Sequence, residues 1–176
     1  MAVRSSFTAG EVLTAADLTD TFASKLDLAG GKILQIVRDT DTTDRSTTST
    51  SFTDVTGLSV TITPQKSNSA ILIWLLANVS STWATGANGN SHVQITDNSN
   101  NAISGAENFL FSTFNLTKEG VSAFVGEVVS IVGYATPATT SAVTYKVRFR
   151  SNNANTTTKF ENASSTAQLF AIEVSA

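Results

Sequence analysis

From Lys32 onward, apolar side chains recur at every second position. This alternation limits the fold more than any other feature. Successive side chains of an extended strand point to opposite faces, whereas a helix stacks them every third or fourth residue. In LSVTIT, Leu58, Val60 and Ile62 share one face and Ser59, Thr61 and Thr63 the other. In AVTYKVRFR, Val143, Tyr145, Val147 and Phe149 point inward and Thr144, Lys146, Arg148 and Arg150 outward. AQLFAIEV, near the C-terminal residue, reads as a closing strand containing Phe170, Ile172 and Val174. These are half-buried antiparallel strands, one face on a core and one in water.

Three segments break the rule by being apolar on both faces: KILQIV (32–37), AILIWLLANV (70–79) and SAFVGEVVSIVGYA (122–135). A strand of a two-layer sandwich needs only one apolar face. The second face calls for a cover, which a helix, a long loop or a neighbouring subunit can supply. A subunit is the expectation, because little other chain remains to cover a sheet.

Turn-forming clusters at 64–68, 85–90, 97–101, 136–140 and 151–155 separate the strands. About eight strands without a further helix signal predict an all-β antiparallel sandwich, a jelly roll, over residues 32–176. Composition agrees. Only 14% of the 176 residues are charged, and Ser, Thr and Asn make up about a third of the chain. Such a polar surface suits strands and turns better than Glu- and Lys-rich helices. The net charge of −3 argues against a nucleic-acid partner, which needs a basic excess. With no cysteine, disulfides, thiolate metal sites and a cysteine nucleophile are excluded. The start, MAVRSSFTAGEVL, has no apolar run of the secretory kind, and the run at 70–79 is too short for a helical membrane span. No membrane partner is expected.

Residues 1–31 form a different segment. TAADLTDTFASKL predicts a short helix with Thr14 as N-cap and Asp17 three residues later. Ala15, Leu18, Phe22 and Leu26 fall on one stripe, and Gly30-Gly31 end or redirect the chain. So short a helix is marginal alone. It either packs on its own domain, pairs with copies of itself or docks on a partner. Leu18, Phe22 and Leu26 are the candidate residues for self-association or anchoring.

Two passages carry a resemblance. FTAGEVLTAADLTDTFASKLD followed by GGKILQIV resembles short N-terminal anchors of small structural proteins of tailed bacteriophages, of the tail-fibre-like and head-decoration type. TSTSFTDVTGLSVTITPQKSNSAILIWLLANV resembles the opening strands of their β-sandwich bodies, and LFAIEVSA their ends. About half of the chain is covered directly. The resemblance implies a homotrimeric jelly roll, made in the host cytoplasm and mounted on the virion by its N-terminal segment. It carries over no catalytic motif and no cofactor. The chain is short for a full tail fibre, which usually has a long shaft. A stub-like fibre or small spike, or a capsid decoration knob, suits the length better. The partners so implied are copies of the chain, other capsid or tail proteins, and host surface glycan.

Candidate chemistry is sparse. His92 is the one histidine, too little for a relay or a zinc site. A glycosidase needs a carboxylate pair. The body offers Glu107, Glu119, Glu127, Glu161, Glu173 and Asp97, with Glu127 and Glu173 interrupting apolar strands. An ion-paired residue at a subunit contact explains those two more simply. Trp74 reads as core. Trp83, before a Gly/Asn-rich loop, reads as the more exposed and as a candidate glycan contact through ring stacking. Lys146, Arg148 and Arg150 form a basic row, read as a solvated face or as a site for an acidic partner. DTDTTDRSTTSTSFTD (39–54) bunches Asp39, Asp41 and Asp44 but lacks the Gly and Glu of an EF-hand loop. It reads as a long surface connection rather than a metal site. The expected function is that of a non-enzymatic virion structural protein. A head decoration protein and a glycan-binding or depolymerising receptor protein are the alternatives.

Overall fold

The computed structural model describes residues 31–83, 90–111 and 123–176. The helix expected around Leu18, Phe22 and Leu26 lies outside them. Ten strands follow in order: β1 (Ile33–Asp41), β2 (Arg45–Thr47), β3 (Thr53–Ile62), β4 (Ala70–Trp83), β5 (Ser91–Asp97), β6 (Phe109–Phe111), β7 (Ala123–Ala135), β8 (Val143–Ser151), β9 (Thr156–Phe160) and β10 (Ala167–Val174).

They form two antiparallel sheets. One sets β1, β10, β4 and β7 side by side, and the other β3, β8, β5 and β6. The chain steps repeatedly from one sheet to the other, as the double Greek key of a jelly roll requires. The short strands β9 and β2 widen the first sheet. β9 takes over the edge of β4 from Val79 to Trp83, beyond the stretch paired with β10, and β2 pairs with β9. One flank of the sandwich is tied by a bridge from Ser104 to Tyr134, where the Tyr134 N–H donates to the Ser104 carbonyl at 2.9 Å. Gly133 beside it is required, since a Cβ there would meet Ile103 Cγ2 at 2.8 Å.

The alternation of β3 and β8 places Leu58, Val60, Ile62, Val147 and Phe149 in the core, as expected. They face Ile71, Ile73 and Leu75 of β4 within one apolar cluster. Burying each such side chain is worth about 1.5–3 kcal/mol relative to water. Phe149 and Phe160 meet edge to face at 5.5 Å and join the sheets. Toward one end the core turns polar. Thr158 Oγ1 donates to Ser91 Oγ at 2.6 Å, Ser91 Oγ to Ser81 Oγ at 3.0 Å, and Ser151 Oγ lies 3.0 Å from Thr158 Oγ1. This chain of hydroxyls crosses between the sheets fully buried and satisfied.

Three expectations change. Residues 39–54 are not a loop: β1 runs through Asp41, β2 follows, and β3 has begun by Thr53. A bulge at Gly57, with φ of 91°, then resets the register of β3 against β8. β10 is turned over relative to its most apolar residues. Ala167, Leu169, Ala171 and Glu173 point inward, and Phe170, Ile172 and Val174 outward. The two tryptophans exchange places. β4 extends to residue 83, and parity counted from Ile71 puts Trp83 inside at 1% exposure and Trp74 outside at 40%. Reading β4 as ending at Val79 had hidden that parity.

Candidate interaction face

The outer surface of the β1-β10-β4-β7 sheet is apolar across four strands. Strand pairing aligns Ile36 with Ile172, Ile172 with Leu72, and Leu72 with Tyr134. The next row reads Arg38, Phe170, Trp74 and Val132. Ile33 lies at one end of the face and Val128 and Phe124 at the other, the last two about two-thirds exposed. All three sequence segments that are apolar on both sides fall on this one sheet, as β1, β4 and β7.

Local contacts keep this face apolar. Trp74 packs on Phe170 with ring centroids 6.0 Å apart, and its Nε1 donates to Ser130 Oγ at 2.9 Å. The one polar atom of the indole is thus satisfied inside the sheet. Arg38, on the edge strand β1, reaches Gln168 Oε1 of β10 with its Nη1 at 3.4 Å. Glu173, from the same strand as Phe170 and Ile172, is hidden on the inner side. Its carboxylate accepts from Gln35 Nε2 at 2.6 Å and from the backbone N–H groups of Gln65 and Lys66 at 2.8 and 3.2 Å. Burial alone would raise its pKa. The Gln35 amide, the nearby Ser69 hydroxyl and the two backbone donors outweigh that and hold it below the ordinary carboxylate value. The ion pair expected of this residue is replaced by amide donors, which fix β10 and β1 to the turn between β3 and β4.

On the other sheet β3 and β8 are polar outside, while Phe109 and Leu110 of the edge strand β6 are exposed. Thr61 and Thr144 hydroxyls lie 2.8 Å apart. Lys146 and Arg148 both reach Asp54, at 2.9 and 2.8 Å, and the Arg150 guanidinium lies 5.2 Å from the Phe52 ring centroid. Burial works against the Asp54 charge, but the two cations hold its pKa below the usual range. The basic row is therefore an internally paired face.

The remaining candidates disperse. Asp39 accepts from the Ser59 N–H, Asp41 from Thr43, Arg45 and Asn162, and Asp44 from Ala163 and Lys159. Each aspartate ties a different piece of chain. Among the described residues no group of three or more His, Asp or Glu side chains is placed to hold a metal ion. His92 is buried, which lowers its pKa, as does Arg150, against a hydrogen bond with Asn108. Glu127 and Glu161 share a shallow cleft of about 270 Å³ with Phe124. Glu161 is already bound to Lys159 at 2.6 Å and Ser80 at 2.6 Å. Asp97 is engaged by Ser99 and Asn101 in its own turn. Trp83, proposed from sequence as a sugar platform, is core and has no open face to stack. Leu18, Phe22 and Leu26 lie outside the described residues, as does Glu119. Among the described residues no helix is long and apolar enough to cross a membrane.

No protein-family model matches the chain, and no curated protein matches it. The apolar face could have been found in the sequence only as the two-sided segments. The part that β10 contributes is not marked in the sequence, because this strand has apolar residues on both faces.

Proposed function

We propose that this chain is a non-enzymatic structural protein of a bacteriophage particle, a homotrimeric jelly-roll knob held to the virion through residues 1–31. The observation that carries the building-block reading is the outer face of the β1-β10-β4-β7 sheet, which is apolar where the outer face of β3 and β8 is polar and ion-paired. The virion setting rests on the resemblance of the N-terminal segment and of the strands opening the body to phage structural proteins. A non-enzymatic role is supported by the state of the candidate groups: Glu161, Glu173 and Asp97 are already bonded to protein donors.

The test is incorporation. A chain lacking residues 2–30 is expected to fold into the same oligomeric body and to be absent from purified particles. Normal incorporation of the shortened chain would remove the anchoring role. Its position in a particle reconstruction separates a fibre-like knob from a head decoration protein.

A further inference from the structure

We infer that the outer face of the β1-β10-β4-β7 sheet is covered by the same face of neighbouring copies of this chain, meeting around Trp74 and Val132. The inference deepens the oligomeric part of the proposed function and rests on that reading for the number of copies. It does not depend on the virion setting.

Size decides the occupant. Ile33, Ile36, Trp74, Phe124, Val128, Val132 and Tyr134 are each between 40% and 67% exposed. Taking roughly 200 Å² for a large side chain in full exposure, they offer on the order of 800 Å² of apolar surface. The largest apolar patch of an ordinary monomer is about 300–600 Å². A stable interface buries about 800 Å² on each partner. The face is therefore too large to stand in water and large enough for an interface of standard size.

The other candidate cover is the chain's own N-terminal segment, which joins the body at Gly31, where its N–H donates to the Ser175 carbonyl at the corner of this face. Its apolar stripe has three large side chains, Leu18, Phe22 and Leu26. A helix of that length covers about 18 Å by 10 Å. Along β7 the face runs about 33 Å from Phe124 to Tyr134, and the four strands lie side by side over the rows from Ala70 to Leu76, about 20 Å long and about 14 Å across. One such helix is too short to cover the four-strand part and also Val128 and Phe124, whereas the sheet faces of neighbouring copies converging on a common axis reach both. Charge permits the contact over the aligned rows, where Arg38 is the charged side chain and sits on β1 at the margin; Glu127 and Glu161, the latter paired with Lys159, lie beyond them next to Val128 and Phe124. Like faces can meet without burying an unpaired charge at their centre.

The chain has no cysteine, so one introduced cysteine reports its own neighbours. The experiment uses the full chain. Light scattering at micromolar concentration is expected to give an oligomer, and Val132→Lys, at an exposed position, a folded monomer by circular dichroism. Val128→Lys is the second variant should the first fail to fold. Val132→Cys is expected to form disulfide-linked pairs on mild oxidation, and Thr61→Cys on the opposite sheet is not. An oligomer unchanged in mass by either lysine overturns the assignment of this face and leaves the trimer reading standing. A wild-type monomer overturns both. A chain lacking residues 2–30 that becomes a folded monomer overturns the inference in favour of the arm as cover.

Discussion

The two sheets of this sandwich obey the same alternation and end with opposite exteriors. On the β3-β8-β5-β6 sheet the strands β3 and β8 point Thr61, Thr144, Lys146 and Arg148 outward, and these residues bind one another or Asp54. On the β1-β10-β4-β7 sheet the outward positions hold Ile36, Phe170, Ile172, Trp74 and Val132. β10 is reversed outright, with its carboxylate inside and its largest apolar groups outside. The difference teaches that period two fixes which residues share a face. It does not fix which face meets water.

The comparison breaks most visibly at the apolar exterior. Lysine at Val132 is expected to weaken association at least about 100-fold, roughly 3 kcal/mol, as for a central interface residue. Sedimentation over a concentration series measures it. The same lysine at Thr144 should leave the assembly intact.

Next comes the reversed strand. Glu173→Ala leaves the N–H groups of Gln65 and Lys66 without their acceptor and should cost about 3 kcal/mol, read from the urea midpoint. The folded-state pKa of Glu173 lies below its ordinary value of 4.5. Its stabilisation is therefore complete above that value and is lost as pH falls through the lower folded pKa. Glu173→Gln should flatten this acid limb of stability against pH. An unchanged limb would mean that other carboxylates dominate it.

The polar exterior should respond less. Asp54→Asn removes the partner of both Lys146 and Arg148, yet Asp54 is nearly half exposed. The expected loss is about 0.5–1 kcal/mol, shrinking in high salt. Smallest of all, Thr61→Val exchanges a surface hydroxyl pair for a better strand former and should shift stability by less than about 0.5 kcal/mol. A larger loss at Thr61 than at Asp54 would show that this exterior is also a contact.

Much of the sandwich is legible where one face is apolar and the other is not. Leu58, Val60 and Ile62, or Tyr145, Val147 and Phe149, name their own inner face. Legibility fails where both faces carry the same chemistry. In β9, TTTKF, Thr156 and Thr158 are buried, so no apolar period marks the strand. In β10 both faces contain apolar residues, and only the pairing with β4 decides between them. Trp74 and Trp83 illustrate the same limit, since their sides follow from the length of β4 rather than from their own character. The interaction face was visible as an excess of apolar positions. Its location required the topology that brings β1, β10, β4 and β7 together.

The pairing of β1 with β10 has a mechanical consequence. β1 is joined to β10 from Ile33–Val174 through Asp41–Ala167, and residue 31 leaves at the end of that ladder. A pull on residue 31 along the strand direction, resisted by the rest of the body, loads those rungs together in shear instead of opening them one after another. Tension entering through the first thirty residues would thus meet its stiffest resistance at the first strand it reaches.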